Sequence, residues 1–354
     1  MTTQRSANIV GLGLIGGSIG LALRERGWYV YGEDHSQARV DRALELGVID
    51  AQHLYREADV TFVATPVLTI ADQVRFALSE TTGVVTDVGS VKGAIVASID
   101  DPRFVGGHPM AGSELEGLDG ADASMFTGAV WVLTPISTTA DTTFATMASI
   151  VGELGADVVA LTPDRHDQVV AVVSHVPHLA AATLMGLASE RGEEHAALLR
   201  LAAGGFRDMT RIASGHPGIW LDICAENRDA ILSGLDGLID GLRGMRELIR
   251  DDDRGALLDK LRRAREARAN LPTRATHPNE LAEVRIPIPD RPGAAAEVFT
   301  LAAELGVNIS SFEVVHSVEG NRGVAIVLID SGSAELFRVG LLARGFRPAI
   351  ERLA

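Results

Sequence analysis

Cysteine is almost missing: Cys224 is the single thiol in 354 residues. That excludes an internal disulfide and any cysteine-built metal site, and it fits a reducing compartment. The start of the chain, Met1 to Ser6, lacks the apolar stretch of a secretory signal, which predicts a cytoplasmic protein. Positive charge is scarce as well. Thirty-two Lys and Arg face 47 Asp and Glu, for a formal net charge of −15. Nucleic acids and anionic membranes are therefore not expected as partners. An anionic substrate needs a local basic pocket working against that field. One apolar run, Val169–Ala188, raises a membrane question. It contains Ser174, His175, Pro177 and His178, which a lipid-facing helix tolerates poorly, so it reads as a buried helix. Internal repeats and low-complexity tracts are lacking too.

What is present is a normal globular composition, 46% hydrophobic and 22% charged, over a length that suits two or three domains. Up to about residue 160, apolar runs alternate with helical patterns. Ala7–Val10, Trp28–Tyr31, Val60–Ala64, Val84–Asp87, Phe104–Gly106 and Val130–Thr134 read as strands, with Ser18–Arg26 and Gln37–Leu46 as helices between the first of them. Strand–helix–strand alternation predicts an α/β fold, a mostly parallel, doubly wound sheet with helices on both faces. After Pro163 the strand signals stop. Ile231, Leu235, Leu238, Ile239, Leu242 and Met245 recur at helical spacing, which predicts an all-helical region. Its apolar area exceeds what a lone monomer covers, so a homodimer is expected. The charge-dense stretch Arg243–Arg268 interleaves acids with its arginines and reads as a solvated helix face. The last part predicts strand Val284–Ile288, a turn at Asp290–Gly293, helix Ala294–Leu305, strands Val307–His316 and Val324–Asp330, helix Ala334–Leu342 and strand Arg347–Arg352. That βαββαβ order is ferredoxin-like. The expected domains are 1–162 (sheet), 163–272 (helical), a linker at 273–282, and 283–354.

The first chemical motif is Gly11-Leu12-Gly13-Leu14-Ile15-Gly16, after the first strand and opening a helix. Gly11 permits the tight turn, Gly13 lets the backbone approach a pyrophosphate, and Gly16 allows close helix–strand packing. N–H groups at the helix start then hold the anion. An acid ends the second strand, Glu33 or Asp34; Asp34 lies eighteen residues past Gly16, near the spacing of a ribose-binding carboxylate. A carboxylate there repels a 2′-phosphate, so NAD is expected rather than NADP, in a Rossmann-type domain. Thr65 and Pro66 end another strand, either beside the cofactor or as a simple turn.

Three further clusters carry reactive side chains. They are Thr86–Gly93 with Asp87, Ser90 and Lys92; Gly106–Glu114 with His108, Ser113 and Glu114; and Ser174–His178 together with Gly204–Arg211 and Trp220. The first two fall at strand ends, where open α/β sheets bind ligands. His175 and His178 fall at i, i+3 on one helix side, but His108 has no paired histidine at helical spacing and no supporting carboxylate pattern is evident, so no metal is expected. Arg207 and Lys92 read equally as local positive potential or as structural ion pairs.

Taken together these segments resemble the prephenate/arogenate dehydrogenase family over the whole chain. Gly11–Ser18 looks like its nucleotide loop. Asp87–Lys92 and His108–Glu114 are similar to its catalytic segments. Ser174–His178 and Thr210–Ala213 look like its substrate-binding helices. Val88 departs from the pattern, standing where many members carry a polar residue. The resemblance implies oxidative decarboxylation of prephenate to 4-hydroxyphenylpyruvate with hydride transfer to NAD, in tyrosine biosynthesis. By it, His108 accepts the proton of the 4-hydroxyl and Ser90 orients the imidazole by bonding its other nitrogen. Arg211 grips a substrate carboxylate, His178 and Ser113 contact the substrate, and Glu114 gates access. Arogenate, with an ammonium in place of the ketone, remains the alternative substrate. The C-terminal unit looks like an ACT regulatory domain. Asp290, Arg291, Pro292, Gly293 and Asn308 match the region where related domains bind amino acids, which implies tyrosine as an effector. Two other classes fit the residues less well. A hydroxyacid dehydrogenase usually carries a lysine on the first helix of its second domain, and here Pro163–Asp259 contains none. An NAD-sensing regulator has no need of Ser90, His108 and Arg211 together.

Overall fold

Why the chain starts as a parallel sheet is visible in its first strand. Ser6–Val10 (β1) is buried along its whole length, so both faces must be covered, and helices do it. The computed structural model describes residues 4–112, 115, 117–194, 204–270, 281–289, 291, 293–316 and 322–352. These fall into two compact units, 1–247 and 248–354.

In the first unit β1 is followed by α1 (Leu14–Glu25), β2 (Tyr29–Glu33), α2 (Gln37–Glu45), β3 (Ala51–Gln52), β4 (Val60–Val63), α3 (Val67–Glu80), β5 (Val84–Asp87), α4 (Gly93–Ala97), β6 (Phe104–Pro109), β7 (Val130–Thr134), α5 (Asp141–Glu153) and β8 (Asp157–Ala160). The strands form one sheet in the order β3-β2-β1-β4-β5-β6-β7-β8. All neighbours run parallel except β6 and β7. The chain winds outward from β1 to β3, then returns to place β4 on the other side of β1. Such a reversal opens a crevice at the carboxyl ends of the strands. Ile9, Val30, Phe62, Val105 and Trp131 form the core between sheet and helices.

The six expected strands are all present. β6 runs on to Pro109, because Gly106–Pro109 pair with β7; His108 therefore sits on a strand, not in the loop after it. Two strands were not anticipated. β3 is two residues long, and β8 is a largely exposed edge with too few buried side chains to mark it.

The helical region follows: α6 (Pro163–Val170), a π-helical turn at Ala171–His175, α7 (Val176–Glu194), α8 (Gly204–Thr210), α9 (Pro217–Glu226) and α10 (Arg228–Arg250), which ends just past the unit boundary. The apolar run expected to be a buried helix is corrected here. Pro163–Glu190 is long and apolar enough to cross a membrane, but only 33% of its most apolar window is buried within the chain. Val172, Val173 and Leu187 are exposed.

The second unit holds α11 (Arg254–Ala269), β9 (Leu281–Pro289), α12 (Ala294–Glu304), β10 (Ile309–His316), β11 (Arg322–Asp330), α13 (Ala334–Ala343) and β12 (Ala349–Arg352). Its sheet is antiparallel in the order β10-β11-β9-β12, the ferredoxin-like topology expected. Val284, Ile286, Val327, Val298, Leu301, Phe337 and Leu341 make its core. The expected linker lies outside the described residues apart from Leu281 and Ala282, which already belong to β9. Of the expected effector residues, Asp290 and Pro292 are outside the described residues. Gly293 precedes α12 with φ +89°, Arg291 pairs with Glu297 at 2.6 Å, and Asn308 is exposed before β10.

Candidate active site

The crevice at the carboxyl ends of β1 and β4 opens into a cavity of about 1160 Å³. Gly11 sits at its edge with φ +98°, and a Cβ there would lie 2.6 Å from the Ala64 carbonyl oxygen. Only glycine makes this turn. At Gly16 a Cβ would lie 2.0 Å from Gly11 O, so α1 can approach the loop only with glycine there. At Gly13 a Cβ would meet nothing within 4 Å, because the backbone there faces open space. No side chain caps the start of α1, so its first N–H groups and helix dipole are left for an anion.

The two acids at the end of β2 have different surroundings. Glu33 accepts the N–H of Leu54 at 3.2 Å. Asp34 accepts the N–H of Leu12 and of Ser36, each at 2.9 Å, which fixes its carboxylate beside the glycine loop. The His35 ring lies 3.2 Å from its Oδ1. Arg39 stands 3.6 Å from the same carboxylate. Thr65 lines the same cavity, and its buried Oγ1 has no hydrogen-bond partner in the protein. An open glycine backbone, an uncapped helix, an anchored carboxylate and an orphaned hydroxyl together fit a dinucleotide.

Beyond the glycine loop the same cavity is walled by Ser90, His108, Ser174, His175 and Trp220. A second cavity, about 840 Å³, shares Gly13, Ser174 and Trp220 with it and adds His178 and Arg211. The structure thus places the expected catalytic pair Ser90 and His108 in one cavity with the nucleotide loop, and His178 and Arg211 in a neighbouring cavity that shares part of its lining. Ser113 and Glu114 lie outside the described residues. The His178 ring stacks on Trp220 at 3.5 Å, with 13° between the planes. That contact joins α7 to α9 and fixes the imidazole where it lines the second cavity.

Under the sheet edge lies a polar cluster. Lys92 is completely buried and ion-paired with Asp87, itself completely buried. Burial lowers the lysine pKa; Asp87 and Asp167 oppose that shift. Lys92 is therefore a structural ion pair, as one of its two sequence readings had it. Asp87 also accepts the N–H of Gly89 at 2.9 Å and of Gly107 at 3.2 Å, tying the Ser90 loop to β6. Burial pulls the pKa of His108 well below 6.5, helped by the charges of His166, Lys92 and His175. Burial likewise brings His175 to about 4, with Asp167 opposing and His166 adding to the shift. His178 is also lowered by burial.

Sequence reasoning missed three members of this cluster. His166 lies 2.8 Å from His108 Nδ1, Asp167 accepts two backbone N–H groups at the start of α4, and Asn227 donates to the Asp167 carbonyl at 2.8 Å. The segment Asp164-Arg165-His166-Asp167-Gln168 reads as a solvated helix start, and nothing in its spacing points to a strand 58 residues earlier. Among the described residues, no group of three His, Cys, Asp or Glu side chains is arranged to hold a metal.

Comparison with known proteins bears on this site. Residues 19–168 match the family profile "Prephenate dehydrogenase, nucleotide-binding domain" and residues 162–263 match "Prephenate dehydrogenase, dimerization domain". The chain is 33% identical over 339 residues to a prephenate dehydrogenase of Bacillus subtilis, covering 91% of each chain. It is similar to the crystal structure of prephenate dehydrogenase from A. aeolicus in complex with hydroxyphenyl propionate and NAD+ (TM-score 0.71, 30% identity, 76% of this chain and 99% of that one). It is also similar to the crystal structure of Synechocystis arogenate dehydrogenase (TM-score 0.66, 31% identity, 75% of this chain and 100% of that one).

Proposed function

Since the chain belongs to the prephenate dehydrogenase family, we propose that this NAD-dependent oxidoreductase converts prephenate to 4-hydroxyphenylpyruvate and carbon dioxide in tyrosine biosynthesis. The observation that carries the reading is His108, held neutral by its surroundings and lining one cavity with the nucleotide loop. Bound NAD+ supplies the hydride acceptor; Gly11, Leu12, Gly13, Leu14, Ile15 and Gly16 hold its pyrophosphate, Asp34 its ribose, and Thr65 and Pro66 border it.

The chain's own residues handle the proton and the carboxylates. A neutral imidazole can take a proton, so His108 draws off that of the 4-hydroxyl as the C4 hydrogen leaves with its electron pair. The ring carboxylate then departs as carbon dioxide. Its bonding electrons make the ring aromatic, and the phenolate oxygen takes the proton back from His108. One proton is borrowed and returned, and one hydride is transferred. General-base assistance of this kind is typically worth about 10²–10⁴-fold. Ser90 borders the imidazole in the same cavity; the ring nitrogen it was expected to bond, His108 Nδ1, faces His166 instead. Arg211 pairs with a substrate carboxylate, and His178, Ser113 and Glu114 complete the substrate's surroundings.

A second reading is arogenate as substrate, since the Synechocystis relative is an arogenate dehydrogenase at 31% identity. The two substrates differ in charge at the side chain alone. The test is NADH formation with each, side by side. A kcat/KM at least tenfold higher for prephenate is expected; the reverse order assigns arogenate.

Two assembly-level assignments belong to the same reading. The chain acts as a homodimer through its helical region, which matches the family's dimerization domain and exposes Val172, Val173, Leu187 and Leu242. The βαββαβ unit is an ACT-type regulatory domain that binds tyrosine near Asp290, Arg291, Pro292, Gly293 and Asn308. The Bacillus match over 91% of the chain necessarily reaches into this unit. Calorimetry with tyrosine should give saturable heat and a matching loss of rate; no heat and no inhibition would dismiss the effector.

A further inference from the structure

Behind His108 stands a side chain that the reaction as written does not use. His166, the fourth residue of α6, is fully buried. Its Nε2 lies 2.8 Å from His108 Nδ1, and its own Nδ1 lies 2.8 Å from Asp167 Oδ1. Asp167 is itself clamped. Its oxygens accept the N–H of Lys92 at 2.9 Å and of Gly93 at 2.8 Å, the start of α4, and its carbonyl accepts from Asn227. Burial pushes the Asp167 pKa up, but the hydrogen bonds from His166, Gly93 and Lys92 outweigh it and leave the carboxyl below its ordinary value. It is a carboxylate at neutral pH.

The polarity of the chain then follows from hydrogen-bond bookkeeping. A carboxylate has no proton to give, so His166 Nδ1 carries the hydrogen and donates it. When both rings are neutral, His166 Nε2 is left with a lone pair, which can only accept. Two facing lone pairs repel, so His108 Nδ1 must carry a hydrogen and donate it to His166. The one lone pair on His108 is thereby placed on Nε2, the nitrogen not used in this contact. We propose that His166 is a positioning residue that selects the His108 tautomer able to accept the substrate's proton. Protonation of His108 Nε2 gives an imidazolium whose Nδ1–H remains hydrogen-bonded to His166, with Asp167 as the counter-charge behind it. Return of the proton to the product oxygen restores the starting state, so no outside proton donor is needed. Lys92 and Gly93 contribute by fixing Asp167, and a Lys92–Asp87 pair beneath keeps that loop in place.

The inference rests on His108 as the proton acceptor, and the experiment separates the two. Three variants of the full-length enzyme are compared with wild type: His108→Asn, His166→Ala and His166→Gln. Kinetics give kcat and KM, and ¹⁵N NMR of histidine-labelled free enzyme reports which ring nitrogen carries hydrogen. The His108 signals are those missing from His108→Asn. Wild type should show His108 with Nδ1 protonated and Nε2 bare. His166→Ala should show a mixture of tautomers, and its kcat should fall about 10- to 100-fold with KM for prephenate and NAD+ nearly unchanged. His166→Gln offers an amide oxygen as acceptor and should recover most of that loss. Wild-type kcat in His166→Ala, or hydrogen on Nε2 of His108 in the wild-type spectrum, would overturn the proposal. Near-normal kcat in His108→Asn would instead remove the proton-acceptor reading beneath it. If His166→Ala does not fold, the wild-type spectrum and His166→Gln still decide.

Discussion

His108 and His175 sit where an imidazole is hard to protonate. In the unfolded chain each takes up a proton near pH 6.5; in the folded chain His175 does so only at about 4 and His108 well below 6.5. Below pH 6.5 the unfolded state therefore binds more protons, and stability falls as pH falls. These two groups' contribution is complete above 6.5 and, for His175, is lost on the way to about 4. The urea midpoint should drop over that window, and less steeply in His175→Gln; equal slopes would remove His175 from the loss. The same neutrality suits His108 to accept a proton at physiological pH. At this scale the sequence marked His108, His175 and His178 through their flanking prolines and glycines, but it gave no mark to His166 or Asp167. Two polar residues at the start of a helix look solvated until the fold brings a strand against them.

The elements that matter most are short. α1 begins at the nucleotide loop, and its approach depends on Gly16, where an added methyl would meet the Gly11 carbonyl at 2.0 Å. Gly16→Ala should push the loop out of shape and weaken NAD+ binding by at least tenfold, read by titration of protein fluorescence; unchanged affinity would mean that loop and helix move apart freely. α4 is five residues long and has no capping side chain of its own. Asp167 supplies the cap from α6, so one carboxylate both starts α4 and anchors His166. The π-helical turn at Ala171–His175 interrupts the α6–α7 run where Ser174 and His175 meet the cavity. The glycine spacing made α1 legible. The π turn itself contains no proline or glycine; Pro177 just beyond it has no N–H for the Val173 carbonyl, a local signal that the reading as one helix did not use. The antiparallel step from β6 to β7 was hidden, because strand direction is set by the connection and not by apolar alternation.

For the whole molecule the central fact is apolar surface left open on one chain. Val169–Ala188 reads from its sequence as a core helix, yet within the chain most of that run is not covered. The proposed homodimer would cover it. Sedimentation of the purified protein should give a dimer at micromolar concentration, with a monomer appearing when Val172 and Val173 are both changed to Asp. A monomeric wild type would remove the helical region as an interface. The C-terminal unit shows the opposite balance. Its βαββαβ order was readable strand by strand, because each strand alternates apolar and polar residues around a small core of its own. What that unit binds is not written in such a pattern.

The central proposal is that His108 takes the substrate's proton. The direct measurement is steady-state NADH formation from prephenate by wild type and His108→Asn. Wild type should turn over prephenate with NAD+, and the variant should lose about 10²–10⁴-fold in kcat with KM little changed. Near-normal turnover by His108→Asn, or no turnover of prephenate by wild type that still binds NAD+, would contradict it.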